Sequence, residues 1–227
     1  ISGVALVSGA LSRAGMPRAV VASAVLVDVA MYYLAYAFCM ALALAVTLYR
    51  GYMPGWVNVF MLLFVLIGSG VAWFVMALPS GGMSGLKTRL RRFAKLARLL
   101  GWVDHAHPGS FQNRRVLFQA FAYHTVIFLL DAATIWVAVR ALGVTASMGG
   151  VFASFMVSTL FRTIGIMPGG LGTFETAAVM SLRRIGLSLP VGLSATLLFR
   201  GLSFWLPMIP GLICSRKLLG RCRDDVD

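Results

Sequence analysis

Six ionisable side chains lie within otherwise apolar stretches of this chain: Asp28, His124, Asp131, Arg162, Glu175 and Arg200. A charge at a bilayer centre costs at least about 2.5–3.5 kcal/mol on insertion scales, and such residues usually face a cavity or a partner. Six are too many to be accidents. Arg162 and Arg200 carry planar guanidinium forks that match a phosphate bidentately, so they would suit an anionic lipid headgroup. Alternatively they pair with Asp131 and Glu175 and neutralise the interior, and the two arrangements can alternate in a transport cycle. His124 and Asp131 are seven residues apart, about 700° of helical turn, and so share one face of a helix. They line a polar cavity, satisfy a neighbouring helix, or relay protons.

The segment Pro168-Gly169-Gly170-Leu171-Gly172-Thr173-Phe174-Glu175 is the most specific feature. Proline removes a backbone donor and glycines admit positive φ, so no ordinary helix passes through it. A backbone that opens near membrane depth is tolerated only beside protein or a water-filled cavity. The helix that restarts afterwards presents free N–H groups and a positive dipole end, the arrangement with which broken helices meet anionic groups in transporters. Glu175, in the first turn, could instead neutralise that dipole itself.

Elements that position these residues follow from apolar length. A spanning helix needs roughly 20 apolar residues. The expected spans lie near 25–48, 55–78, 116–139, 147–166 and 191–213, with 171–186 as a further piece that crosses or re-enters. Gly51 and Pro54 break the chain between the first two. Over 85–101, basic residues alternate with apolar ones at helical spacing, which predicts a basic amphipathic helix on the cytoplasmic face. The expected fold is an all-α polytopic membrane protein, a helical bundle with a broken or re-entrant helix at the Pro-Gly-Gly-Leu-Gly motif. All 227 residues form one transmembrane domain, which the absence of an initiator Met at Ile1 suggests is incomplete at its N-terminus.

Composition agrees with that class. Hydrophobic residues make up 59% and charged residues 12%, and the mean hydropathy is +0.87. A soluble domain carries about 25% charged residues, so this chain cannot cover a water-facing surface, which excludes a soluble enzyme. The formal charge of +13 reads as the positive-inside rule and not as nucleic-acid binding. Arg13, Arg18, the 87–115 loop and the basic residues from Arg216 to Arg223 are expected in the cytoplasm with the C-terminus. Arg50, Arg140, Arg183 and Arg184 then fall outside, and the last two have no account from the sequence. Cys39, Cys214 and Cys222 fit no metal or disulfide spacing. His105 and His107, in a polar loop, make a poor metal site. No metal or cofactor is expected.

The motif residues carry a resemblance. Met167 through Glu175 resembles the PGGLGxxE signature of the lysylphosphatidylglycerol synthase transmembrane-domain family, also called the flippase-like or UPF0104 family. His124 through Gly143 is similar to that family's span with an early His, a following acid and a closing RALGV. Leu198 through Pro207 is similar to its last span, with its Arg and Trp-Leu-Pro. Leu11 to Tyr33 matches more loosely: Asp28 supplies an acid, but Val29 replaces a basic neighbour. The resemblance implies a helical bundle with re-entrant pieces that moves lipids, including aminoacylated phosphatidylglycerol, across the cytoplasmic membrane. Some relatives fuse this bundle to a cytoplasmic aminoacyl-transferase domain. These residues contain none, so synthase activity is not carried over, and the family's first spans and first glycine/arginine motif would lie before Ile1.

The function expected is therefore a multi-pass cytoplasmic-membrane flippase or transporter for an anionic or aminoacylated phospholipid or lipid-linked cargo. Arg162, Arg200, Gly169, Gly170 and Gly172 would hold the headgroup, and His124, Asp131 and Glu175 would complete a polar groove. No catalytic residue is assigned. Two alternatives stand beside it. One is an intramembrane enzyme on lipid headgroups, with His124, Asp131 and Glu175 as acid–base groups; the other is a non-catalytic membrane partner of a lipid synthase. Expected partners are membrane phospholipid, a second copy of the chain and a separate lipid-synthesising enzyme.

Overall fold

The computed structural model describes residues 17–77, 113–164 and 170–211. The stretch 85–101, His105, His107, Gly169, Cys214, Cys222 and the basic residues near the termini, Arg13 and Arg216 to Arg223, lie outside the described residues. Among the described residues the chain is helical, with no strand. The helices are α1 (Arg18–Arg50), α2 (Gly55–Ala77), α3 (Arg114–Ala141), α4 (Met148–Ile164), α5 (Thr173–Arg184) and α6 (Leu189–Arg200). A π-turn, Gly201–Trp205, continues α6, and helix then resumes to 211.

Among the described residues, four helical stretches are long and apolar enough to cross a membrane: Ser23–Arg50, Gly55–Phe74, Arg114–Ala141 and Leu189–Gly211. α4 is apolar but shorter. Local chemistry sets the boundaries. At the end of α1, Gly51 adopts φ +65 and its N–H donates to the Thr47 carbonyl. Pro54, with no N–H to lose, opens α2 and accepts from Val57 and Asn58. α3 and α5 end alike. Gly143 and Gly186 take positive φ, and the next residue's N–H reaches back to Val139 and Leu182 respectively, the Schellman closure.

The chain divides into two compact units. The first comprises residues 1–41 and 62–128. Val27, Ala30 and Met31 of α1 pack with Leu34, Met76, Leu117, Ala120 and Phe121. Tyr36 is fully buried, with Phe64 at 4.3 Å and Phe128 at 5.2 Å between ring centroids. Gly68 of α2 lets the two backbones approach: a Cβ there would stand 3.6 Å from the Ala37 Cβ, the use membrane helices make of small residues.

The second unit comprises residues 42–61 and 129–227. Its core is α4, buried continuously from Val151 to Leu160 apart from Phe152. Ser158 and Thr159, both buried, return their hydroxyls to carbonyls four residues back and so enter the apolar interior already satisfied, whereas the buried Ser154 Oγ has no hydrogen-bond partner among the described residues. α5 packs against α4, and α6 against α5. Phe155, Phe174 and Phe199, one from each helix, form a single ring cluster with centroids 5.7–6.4 Å apart. Many large apolar side chains remain exposed, among them Leu66, Ile67, Phe118 and Leu130. In water such a surface invites aggregation; in a bilayer it is the surface that lipid covers.

Candidate functional site

The second unit places the motif residues around one turn. α4 ends at Ile164 and α5 begins at Thr173. Gly170 and Gly172 both adopt left-handed backbone, at φ +65 and +84. At Gly170 the requirement for glycine is twofold, because a Cβ would collide with Arg162 Cγ and stand 3.1 Å from the Arg162 Cα. The stem of Arg162 thus lies across the turn. Gly172 faces open space and is constrained by φ alone.

Glu175 and Arg200 tie this turn together. Glu175 accepts the Gly172 N–H at 2.7 Å through Oε2, satisfying a donor at the start of α5 and setting a negative charge at its dipole end. Its Oε1 accepts from Arg200 Nε at 2.6 Å. Arg200 Nη2 donates to the Gly170 carbonyl at 3.2 Å, and Thr173 Oγ1 donates to the same oxygen at 3.1 Å. The guanidinium also lies 4.6 Å from the ring centroid of Phe174 and 5.2 Å from that of Phe204. Arg200 is only 4% exposed, so its charge is met by a carboxylate, a carbonyl and two aromatic faces. This is the neutralised arrangement that the sequence allowed as an alternative, realised at Arg200.

Arg162 differs. It is half-buried, and its guanidinium lies 5.9 Å from the same Phe174 ring. Among the described residues no carboxylate comes within ion-pair distance of it. Asp131, also half-buried, is within electrostatic range. Two cations therefore flank one phenyl ring beside one glycine turn, and one of them is closed by a carboxylate.

The π-turn follows directly from Arg200. Pro207 has no N–H for a helical bond to Ser203. The ladder shifts register before it, with Leu206 N–H donating to the Gly201 carbonyl. Such π-turns often accompany functional sites, and this one carries Phe204 to its place beside Arg200.

His124 belongs to the first unit. Its Nε2 lies 3.0 Å from Asp28 Oδ1, and Tyr32 packs edge-on against the imidazole at 5.4 Å. The pair is open, with side-chain exposures of 19% and 65%. Of the sequence-selected residues, Arg162, Gly170, Gly172, Glu175 and Arg200 are gathered at one turn, with Asp131 in electrostatic reach. Phe174 was missed, although it stands inside the motif between Gly172 and Glu175. Asp28 was noted as an intramembrane acid but not as the partner of His124, because spacing within one helix cannot reveal a register between two.

With this geometry in place the comparisons are specific. The family described as "Lysylphosphatidylglycerol synthase TM region" matches residues 2–211, and the chain belongs to it. It is also 26% identical over 95 residues to a "UPF0104 membrane protein" of Methanothermobacter thermautotrophicus. That alignment covers 42% of this chain and 28% of the relative's length. No solved structure matches. The chain is therefore a multi-helix membrane protein with a lipid-related function, in the family to which its glycine motif and its Arg and Trp-Leu-Pro motif pointed.

Proposed function

We propose that this chain forms the membrane core of a lipid translocator, passing an anionic or aminoacylated phospholipid, or another lipid-linked cargo, across the cytoplasmic membrane. The observation that carries the reading is the unequal state of the two arginines at the glycine turn. Arg200 is held by Glu175, whose carboxylate presents two oxygens to a guanidinium as a phosphate would. Arg162, beside it, has no such anion among the described residues. A headgroup phosphate entering at Arg162 could then compete with Glu175 for Arg200. Glu175 would fall back on the N–H groups of α5, where it is already anchored through Gly172. Such exchange never leaves the buried Arg200 without an anion, which the low dielectric demands.

Transbilayer movement of a fluorescent phospholipid in reconstituted vesicles tests this. Wild-type protein is expected to move the lipid. Arg162→Gln and Arg200→Lys are expected to slow it, the latter because an ammonium cannot grip bidentately. Wild-type rates in both variants, with the protein folded, would remove the basis of the reading.

A further inference from the structure

Three turns of the second unit meet at one end. Tyr52, in the turn between α1 and α2, lies with its Oη 3.2 Å from the Ser147 Oγ in the turn before α4. Gly150, in the first turn of α4, sits close to Ile185 in the turn after α5. Met53 and Pro54 share a cavity with Arg183 and Arg184. Each turn precedes or follows a stretch able to span the membrane, Leu189–Gly211 beginning just beyond Ile185 and Gly55–Phe74 just beyond Pro54. This end therefore lies at the bilayer interface, where Trp56 at the start of α2 also belongs.

The cavity is a groove of about 940 Å³, large for a small-molecule site. One wall is Gly172 and α5 as far as Arg184; the other is Trp56 and Val57 of α2 with Val157 and Phe161 of α4. Trp56 and Phe161 meet edge to face at 6.3 Å. The walls are apolar and one end is cationic. Arg50 and Arg140 at this end lie against the rings of Tyr49 and Trp136. Arg183 and Arg184 are exposed. The acidic side chains among the described residues are occupied elsewhere: Asp28 with His124, Glu175 with Arg200, and Asp131 in the field of Arg162. No carboxylate among the described residues answers the Arg183-Arg184 pair.

An apolar groove that ends in two guanidiniums, answered by no carboxylate among the described residues, matches an amphiphile with one negative end. We propose that it binds a membrane phospholipid of net anionic headgroup, with the phosphate between Arg183 and Arg184 and one acyl chain along α5 toward Gly172. From Arg184 back to Thr173 is about 16 Å of helix, so the bound chain points from the interface toward the glycine turn. Binding stands independently of translocation. Only its role as a loading site rests on the function proposed above.

The experiment uses the full chain in detergent with Trp73, Trp102, Trp136 and Trp205 replaced by Phe, leaving Trp56 as reporter. Brominated phosphatidylglycerol and brominated phosphatidylcholine are titrated as quenchers. We expect phosphatidylglycerol to bind more tightly, with about fivefold of the preference lost for each of Arg183→Gln and Arg184→Gln. The Arg183→Lys/Arg184→Lys variant should keep it. Ala177→Phe, which fills the groove, should weaken quenching by both lipids. Equal affinity for the two lipids in the parent, a preference that survives the double Gln variant, or quenching indifferent to Ala177→Phe would each overturn the proposal. So would displacement of phosphatidylglycerol by inorganic phosphate beyond that of sodium chloride at equal ionic strength, which would mark a free-phosphate site. Far-ultraviolet circular dichroism confirms that each variant is folded. A failure of the translocator reading shows separately, as absent lipid movement in vesicles while Trp56 is still quenched.

Discussion

The Arg200–Glu175 pair makes a quantitative demand on stability. Charges about 4 Å apart attract by about 4 kcal/mol at an effective dielectric near 20. Removing one partner of a buried pair costs about 3–5 kcal/mol, chiefly because the survivor is left uncompensated. The two sides are not equivalent. Arg200 is 4% exposed and Glu175 20%. Glu175→Gln removes the one carboxylate that Arg200 meets among the described residues and leaves the cation in a site only 4% exposed. Arg200→Gln leaves a carboxylate that still accepts the Gly172 N–H and can find water. The Glu175→Gln variant should therefore lose about 3–4 kcal/mol and Arg200→Gln about 2–3 kcal/mol. The double variant should lose less than the two singles together by at least about 2 kcal/mol. Denaturant-induced unfolding in mixed micelles, followed by tryptophan fluorescence, gives all three values. Additivity within about 0.5 kcal/mol, or a more damaging Arg200→Gln, would refute this account of the buried pair.

Other outcomes follow from the same turn and from the first unit. Gly170→Ala meets both positive φ and the Arg162 backbone, so it should cost about 1–2 kcal/mol of strain plus about 1–3 kcal/mol of overpacking. Gly172→Ala meets open space and should cost only the strain, a difference that thermal unfolding in detergent resolves. Arg162→Gln keeps the stem that crosses Gly170 and should change stability by no more than about 1 kcal/mol, while slowing lipid movement in vesicles. In the first unit, Asp28→Asn breaks an exposed pair and should cost less than about 1 kcal/mol. A larger loss in the same unfolding assay would mean that the His124 contact is shielded from solvent.

Legibility in the sequence was uneven, for physical reasons. A polytopic all-α fold was plain because a bilayer leaves helices few alternatives and runs such as 55–78 carry no charge. Gly170 and Gly172 were legible as positive-φ positions because a side chain there would be strained. Partner choice was not. Arg200 was allowed either Glu175 or a phosphate, and its partner depends on how α6 packs on α5, which no spacing within one helix records. The seven-residue interval between His124 and Asp131 put them on one helical face, yet the contact His124 makes is with Asp28 on another helix. Arg183 and Arg184 looked anomalous because the groove beside them is assembled from α2, α4 and α5, far apart in the chain.

α5 explains why charge is found at this turn at all. Twelve residues give about 18 Å of helix, against a hydrocarbon core of about 30 Å, so α5 alone cannot cross, and one of its ends lies below the interface. With Arg183 and Arg184 at the interface, as proposed above, the end at Gly172 would be the deeper, and it would bring unsatisfied N–H groups and a positive dipole into a medium that cannot hydrate them. Glu175 answers both. The charge it introduces requires Arg200, whose Nη2 also takes up the Gly170 carbonyl that the left-handed turn exposes. Closing the broken end of this helix thus accounts for Gly170, Gly172, Glu175 and Arg200 with no substrate. It does not account for Arg162, a further cation set on the same phenyl ring that the closure does not need. The case for a visiting anion therefore turns on Arg162, and a variant that keeps its stability while losing lipid movement separates a site from a scaffold.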